Sequence, residues 1–120
     1  MPHLRLEHTI NIESKISCDF FDKLINILMK YTSIKSSNCK NRTIKINDFH
    51  LDSKNRNKDF IHLEVNILKG RSDKTKQKIG TESLDLLKSC FQKISNGNSL
   101  QISLEIREIK QVDYFTTNDI

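Results

Sequence analysis

Two residues of this chain are of a type, and in a place, that could do chemistry. The sequence uses proline once in 120 residues, at Pro2, directly behind Met1. Removal of Met1 would leave a secondary amine as the chain terminus, and such an amine can act as a base. The plainer reading is positional: proline lacks a backbone donor, and the first residue of a strand is one of the few places in a sheet that accepts it. Arg71, in "GRS", falls where an alternating apolar run ends and a helical pattern begins. A guanidinium there can grip a carboxylate in bidentate fashion, beside helix-start N–H groups that already attract anions. Its plainer alternatives are a solubilising surface charge or an ion pair with Asp73.

The other reactive types show no comparable arrangement. His3, His8, His50 and His62 lack the spacing of metal ligands, and no HxxxH or CxxC accompanies them, so no metal site is expected. Gly70, Gly80 and Gly97 are isolated, which excludes a glycine-rich phosphate loop. Cys90 falls on an apolar helix face and Cys39 has no identifiable base, so neither reads as a nucleophile. Three cysteines without paired spacing, and no secretory leader ahead of them, predict reduced thiols in a cytoplasmic protein.

The elements that must position Pro2 and Arg71 are legible in the periodicity. Leu4, Leu6, His8 and Ile10 alternate with Arg5, Glu7 and Thr9 as in a half-buried strand. "SCDFFDKLINILMKYT" shifts to a helical period, with Phe20, Leu24, Ile27, Leu28 and Tyr31 on one face and Ser17 or Asp19 as N-cap. A short strand follows through Ile44 and Ile46, then a hydrophilic loop, "DSKNRNKD". The clearest strand alternates Ile61, Leu63, Val65 and Ile67 with His62, Glu64 and Asn66. A second helix directs Ile79, Leu84, Leu87, Cys90, Phe91 and Ile94 to a core, and "SNGNS" stops it. The last strand alternates Leu100, Ile102, Leu104 and Ile106 with Gln101, Ser103, Glu105 and Arg107, before an irregular tail.

That is strand–helix–strand twice over. Helical crossovers favour parallel pairing within each unit, so the expected fold is α+β: one four-stranded mixed sheet with two helices on one face, residues 1–120 forming a single domain. Out-facing residues His62, Ser103 and Gln101 are only mildly polar, and a sheet covered on one side commonly packs its open face on another subunit. If a pseudo-twofold relates the units, the first and third strands run antiparallel and the start of one approaches the end of the other. The composition is globular, 36% hydrophobic and 29% charged, with a net charge of +5. That charge suits an anionic partner. No aromatic residues interleave with the lysine patches as a base-stacking platform requires, so nucleic acid is not the expected partner. No apolar run approaches the roughly 20 residues that span a bilayer, so no membrane partner is expected.

The stretches "MPHLRLEHTINI", "FIHLEVNILKGRSDKTKQKIG", "LDLLKSCF" and "ISLEIREI" together carry a resemblance to the 5-carboxymethyl-2-hydroxymuconate isomerases, of the amino-terminal-proline tautomerase superfamily. It runs from Pro2 to the tail around Phe115. The resemblance implies homotrimers that cover the open sheet face, and an enzyme that moves one proton in an unsaturated dicarboxylate or tricarboxylate without metal or cofactor. Pro2 would be the general base: an ordinary α-amino group titrates at roughly 7.7–8.0, and burial beside cations lowers that value. Arg71 would bind and polarise the substrate. The family pattern of arginine, any residue, arginine before the second strand reads here as Lys40, Asn41, Arg42. Arg42 matches, whereas Lys40 replaces a planar fork by a point charge and puts the exact substrate in question. The competing readings are a non-catalytic trimer kept for binding or scaffolding, and a keto–enol tautomerase of another small acid.

Overall fold

A computed structural model describes residues 1–51, 58–94 and 99–117. The "DSKNRNKD" loop (save its last two residues) and the "SNGN" of the expected helix stop lie outside them. The first unit is β1 (His3–His8), α1 (Ser14–Tyr31) and β2 (Lys40–Lys45); the second is β3 (Lys58–Leu68), α2 (Asp73–Phe91) and β4 (Ser99–Ile109). Short 3-10 turns at Ser36–Asn38 and Gln111–Asp113 precede β2 and follow β4.

The sheet order is β2-β1-β3-β4. β1 pairs parallel with β2 and β3 parallel with β4, while β1 and β3 meet antiparallel, with His3 opposite Asn66. The pairing expected from the doubled order is therefore present. One sheet face is apolar: Leu4 and Leu6 of β1 and Ile61, Leu63, Val65 and Ile67 of β3 are buried under Phe20, Leu24 and Leu28 of α1 and Ile79, Leu87 and Phe91 of α2. Phe20 is wedged between Phe21 and Phe91, at ring distances of 5.3 and 5.2 Å. At Gly80, α2 runs close to Ile106 of β4.

Four details differ from the sequence expectation. Helix α1 starts one turn before Ser17, at Ser14, with Glu13 as N-cap. Ile12 and Ile16 pack on the core and continue its stripe upstream, so Ser17 lies inside the helix, its Oγ donating to the Ser14 carbonyl at 2.9 Å. The buried face of α1 contains Phe21 and Ile25, with Ile27 only half-buried. In α2, Leu84 is half-buried while Leu86 packs on the core. The open sheet face is not mildly polar but charged. Arg5 bonds Glu7 at 3.0 Å, Arg107 reaches Glu105 at 3.1 Å and Glu64 at 3.6 Å, and His62 bridges Ser103 (2.7 Å) and Glu105 (3.0 Å). His62 therefore has a structural place in this lattice of charges.

Candidate active site

The antiparallel β1–β3 pair gathers the beginnings of β1 and β2 and the ends of β3 and β4 at one end of the sheet. Pro2 is buried there, immediately before β1, and its carbonyl accepts from the Lys40 N–H at 3.1 Å. Proline suits the position because the donor it lacks is not asked for, while its carbonyl starts the β1–β2 ladder. Lys40 opens β2 opposite His3, and its Nζ donates to the Asn38 carbonyl at 3.2 Å. Two residues on, Arg42 reaches back across the open face, its Nη2 lying 2.8 Å from His3 Nδ1.

Arg71 lies just past the end of β3, as the sequence placed it. Its Nη1 donates to the Leu68 carbonyl at 2.8 Å, which anchors a half-buried guanidinium at the strand end. Gly70 supplies the turn between them with φ of 142°, a region L side chains rarely enter. Ser72 then caps α2, its Oγ accepting from Thr75 N–H at 3.2 Å. Asp73 pairs with Lys76 at 3.3 Å, so among the described contacts its ion pair is with that lysine and not with Arg71. Pro2, Lys40, Arg42 and Arg71 thus share one end of the sheet, three of them cations.

The electrostatics follow from that grouping. Burial, reinforced by the Lys40 charge and opposed by Cys39, holds the chain-terminal amine below its usual value of 8.0. Burial and then the charges of Arg42, Lys40 and the chain terminus hold His3 below its ordinary range. Burial pushes the Cys39 thiol up, which makes it a poor nucleophile. Such a site favours a neutral amine beside fixed positive charge, a combination suited to accepting a proton from a bound anion.

His3 and Tyr114 were missed as site residues in the sequence. His3 Nε2 and Tyr114 Oη are 2.9 Å apart although 111 residues separate them, and no local pattern reports such a contact. A cleft of about 270 Å³ between α1 and β2 is lined by Arg42, with Cys18 and Phe21, but not by Pro2 or Arg71. No group of three or more His, Cys, Asp or Glu among the described residues is arranged to hold a metal ion, and no described helix is long and apolar enough to cross a membrane.

A structure of a 5-carboxymethyl-2-hydroxymuconate isomerase from Deinococcus radiodurans R1 superposes with a TM-score of 0.83 at 27% identity, covering 98% of this chain and 90% of that one. A 5-carboxymethyl-2-hydroxymuconate delta-isomerase structure gives 0.82 at 10% identity, over 99% and 89% of the two chains. A fused 4-OT described as a symmetric trimer gives 0.70 at 11% identity, over 90% and 87%. The last two show shared fold. No protein of curated function matches the sequence. The family model of the 5-carboxymethyl-2-hydroxymuconate isomerases matches residues 2–120, from the proline at the sheet end through the whole doubled unit, and the chain belongs to that family of isomerases with the tautomerase fold.

Proposed function

We propose that this protein moves one proton within an unsaturated hydroxy dicarboxylate or tricarboxylate of the 5-carboxymethyl-2-hydroxymuconate class, with Pro2, freed by loss of Met1, as general base. The observation that carries this reading is the grouping of Pro2 with Lys40, Arg42 and Arg71 at one sheet end. With Met1 in place, burial and the Lys40 charge already hold the terminal amine below its usual value; on loss of Met1 the amine is that of Pro2, whose carbonyl is bonded to the Lys40 amide. The Lys40 charge beside it disfavours the ammonium form. The neutral amine takes a proton from the dienol acid and returns it at another carbon, while the cations hold carboxylates. Arg71 has the planar fork for a bidentate grip; Lys40 attracts by charge alone.

The reading includes a homotrimer. Each chain leaves one sheet face uncovered, and the described Arg42 cleft does not reach Pro2, so neighbouring copies would complete the walls. Light scattering of the purified protein should report three times the chain mass; a monomer overturns this part.

The decisive experiment replaces Pro2 by alanine. General-base catalysis contributes about 10²–10⁴-fold, and the variant, which keeps an amine but loses the ring, should forfeit part of that factor in kcat. Wild-type activity should rise as the Pro2 amine loses its proton, with an apparent pKa below the usual 8.0, because the causes that lower the Met1 amine, partial burial and then the Lys40 charge, act at the same sheet end. Equal turnover by Pro2→Ala across that range would leave Pro2 as a strand opener only.

A further inference from the structure

Hydrogen-bond polarity at His3 determines where the proton of Tyr114 points. A guanidinium carries donors only, so Arg42 Nη2, 2.8 Å from His3 Nδ1, must donate and Nδ1 must accept. The single ring proton of a neutral imidazole then sits on Nε2. Nε2 is 2.9 Å from Tyr114 Oη; with Nε2–H as donor, the phenol oxygen accepts, and its own O–H is left to donate to a third group. The two rings meet edge to face at 5.9 Å, and Asn66 Nδ2 donates to the His3 carbonyl at 3.2 Å. The groups facing the ring are Arg42 and Lys40 from β2, Asn66 from β3, Tyr114 and the chain terminus, with Arg107 of β4 next in the same cross-strand row. Protonation would set an Nδ1–H against the Arg42 N–H and break that bond, and burial and then the surrounding cations act in the same direction by keeping the ring neutral.

We propose that Tyr114 is a substrate-contacting residue whose O–H donates to a carboxylate oxygen at the Pro2 end of the sheet, and that His3 is the positioning residue that holds the phenol in that sense. A carboxylate is the fitting acceptor because the neighbouring cations draw anions to this end. The inference rests on the reading of that end as the active site.

Ring nitrogen NMR at neutral pH should find His3 protonated at Nε2 and bare at Nδ1. Fumarate serves as the binding probe. Tyr114→Phe keeps the ring packing and removes the hydroxyl; since a hydrogen bond to a charged group is among the stronger ones, fumarate should bind about tenfold more weakly. His3→Phe should produce a similar loss, and the double variant little more, because the two residues act through one hydroxyl. Three results overturn the proposal: a proton on Nδ1, unchanged fumarate affinity in Tyr114→Phe, or no fumarate binding by the wild type. The two readings fail separately. If fumarate affinity falls in Tyr114→Phe but Pro2→Ala turns over normally, the contact stands and the general base does not. If Pro2→Ala is impaired but Tyr114→Phe binds fumarate as wild type, only the tyrosine contact is lost.

Discussion

The two strand–helix–strand units follow one order, with helices of 18 and 19 residues, but the first has strands of 6 residues each and the second strands of 11. The long β3 seats four apolar side chains against the helices, each at most 1% exposed. β2, in contrast, is an edge strand whose residues are exposed except for a half-buried Ile44. Its basic side chains discourage strand-to-strand association at that edge. The helices differ at their N-termini: α2 has a serine cap and an acidic first-turn residue, whereas α1 has neither, although it buries Phe20, Phe21, Leu24, Ile25 and Leu28. The core draws on both units, and the difference lies in the strands: the short β1 and the exposed β2, held against the long β3, present the chain terminus and its cations at one sheet end.

The largest expected effect tests the contrast between the shared core and the exposed strand. Phe91, fully buried against Phe20, belongs to the second unit. Phe91→Ala should cost about 3–5 kcal/mol in denaturant unfolding, while Lys40→Ala, on the exposed strand, should stay within roughly 0.5 kcal/mol. Similar losses for the two would end the contrast between core and edge strand.

Capping gives a smaller effect. Ser72→Ala removes the acceptor for Thr75 N–H and should cost about 1 kcal/mol. Thermal unfolding would read this as a lowered Tm, and an unchanged Tm would mean that the α2 cap contributes nothing. Smallest, and of opposite sign, is Gly80→Ala. A Cβ there would meet only Ile106 Cδ1, at 3.9 Å, an ordinary contact. Since glycine in a helix interior is worse than alanine by roughly 0.5–1 kcal/mol, the variant should be more stable; destabilisation would show that α2 sits closer to β4 than this contact implies.

How much of this was legible in the sequence depended on burial. β1, β3 and β4 alternate because one face of each packs on the core, and α2 shows its period through Ile79, Leu87 and Phe91. The beginning of α1 was obscured because Ser17 has the chemistry of a cap, while Ile12 and Ile16, one turn earlier, decide the matter by packing. The charge of the open face is hidden in the sequence because Glu64, Glu105 and Arg107 appear as solvated alternation, whereas the register of β3 and β4 brings Arg107 to Glu64 and Glu105 to His62. Pro2 and Arg71 could be singled out by residue type and place, but their shared sheet end follows from antiparallel β1–β3 pairing. Tyr114 gave no signal, since its one telling neighbour is at the opposite end of the chain.

The single bond from the Lys40 amide to the Pro2 carbonyl links the persistence of this arrangement to the fraying of an edge strand. β2 has a neighbour on one side only, and segments with exposed backbone bonds open at free energies well below global unfolding. Each such opening would release the carbonyl of Pro2, withdraw Lys40 and detach Arg42 from His3 in one event. The exchange rate of the Lys40 amide with deuterated water is thus a direct clock for how long the chain terminus and its cations stay assembled, and it should run faster than that of the inner β1–β3 amides.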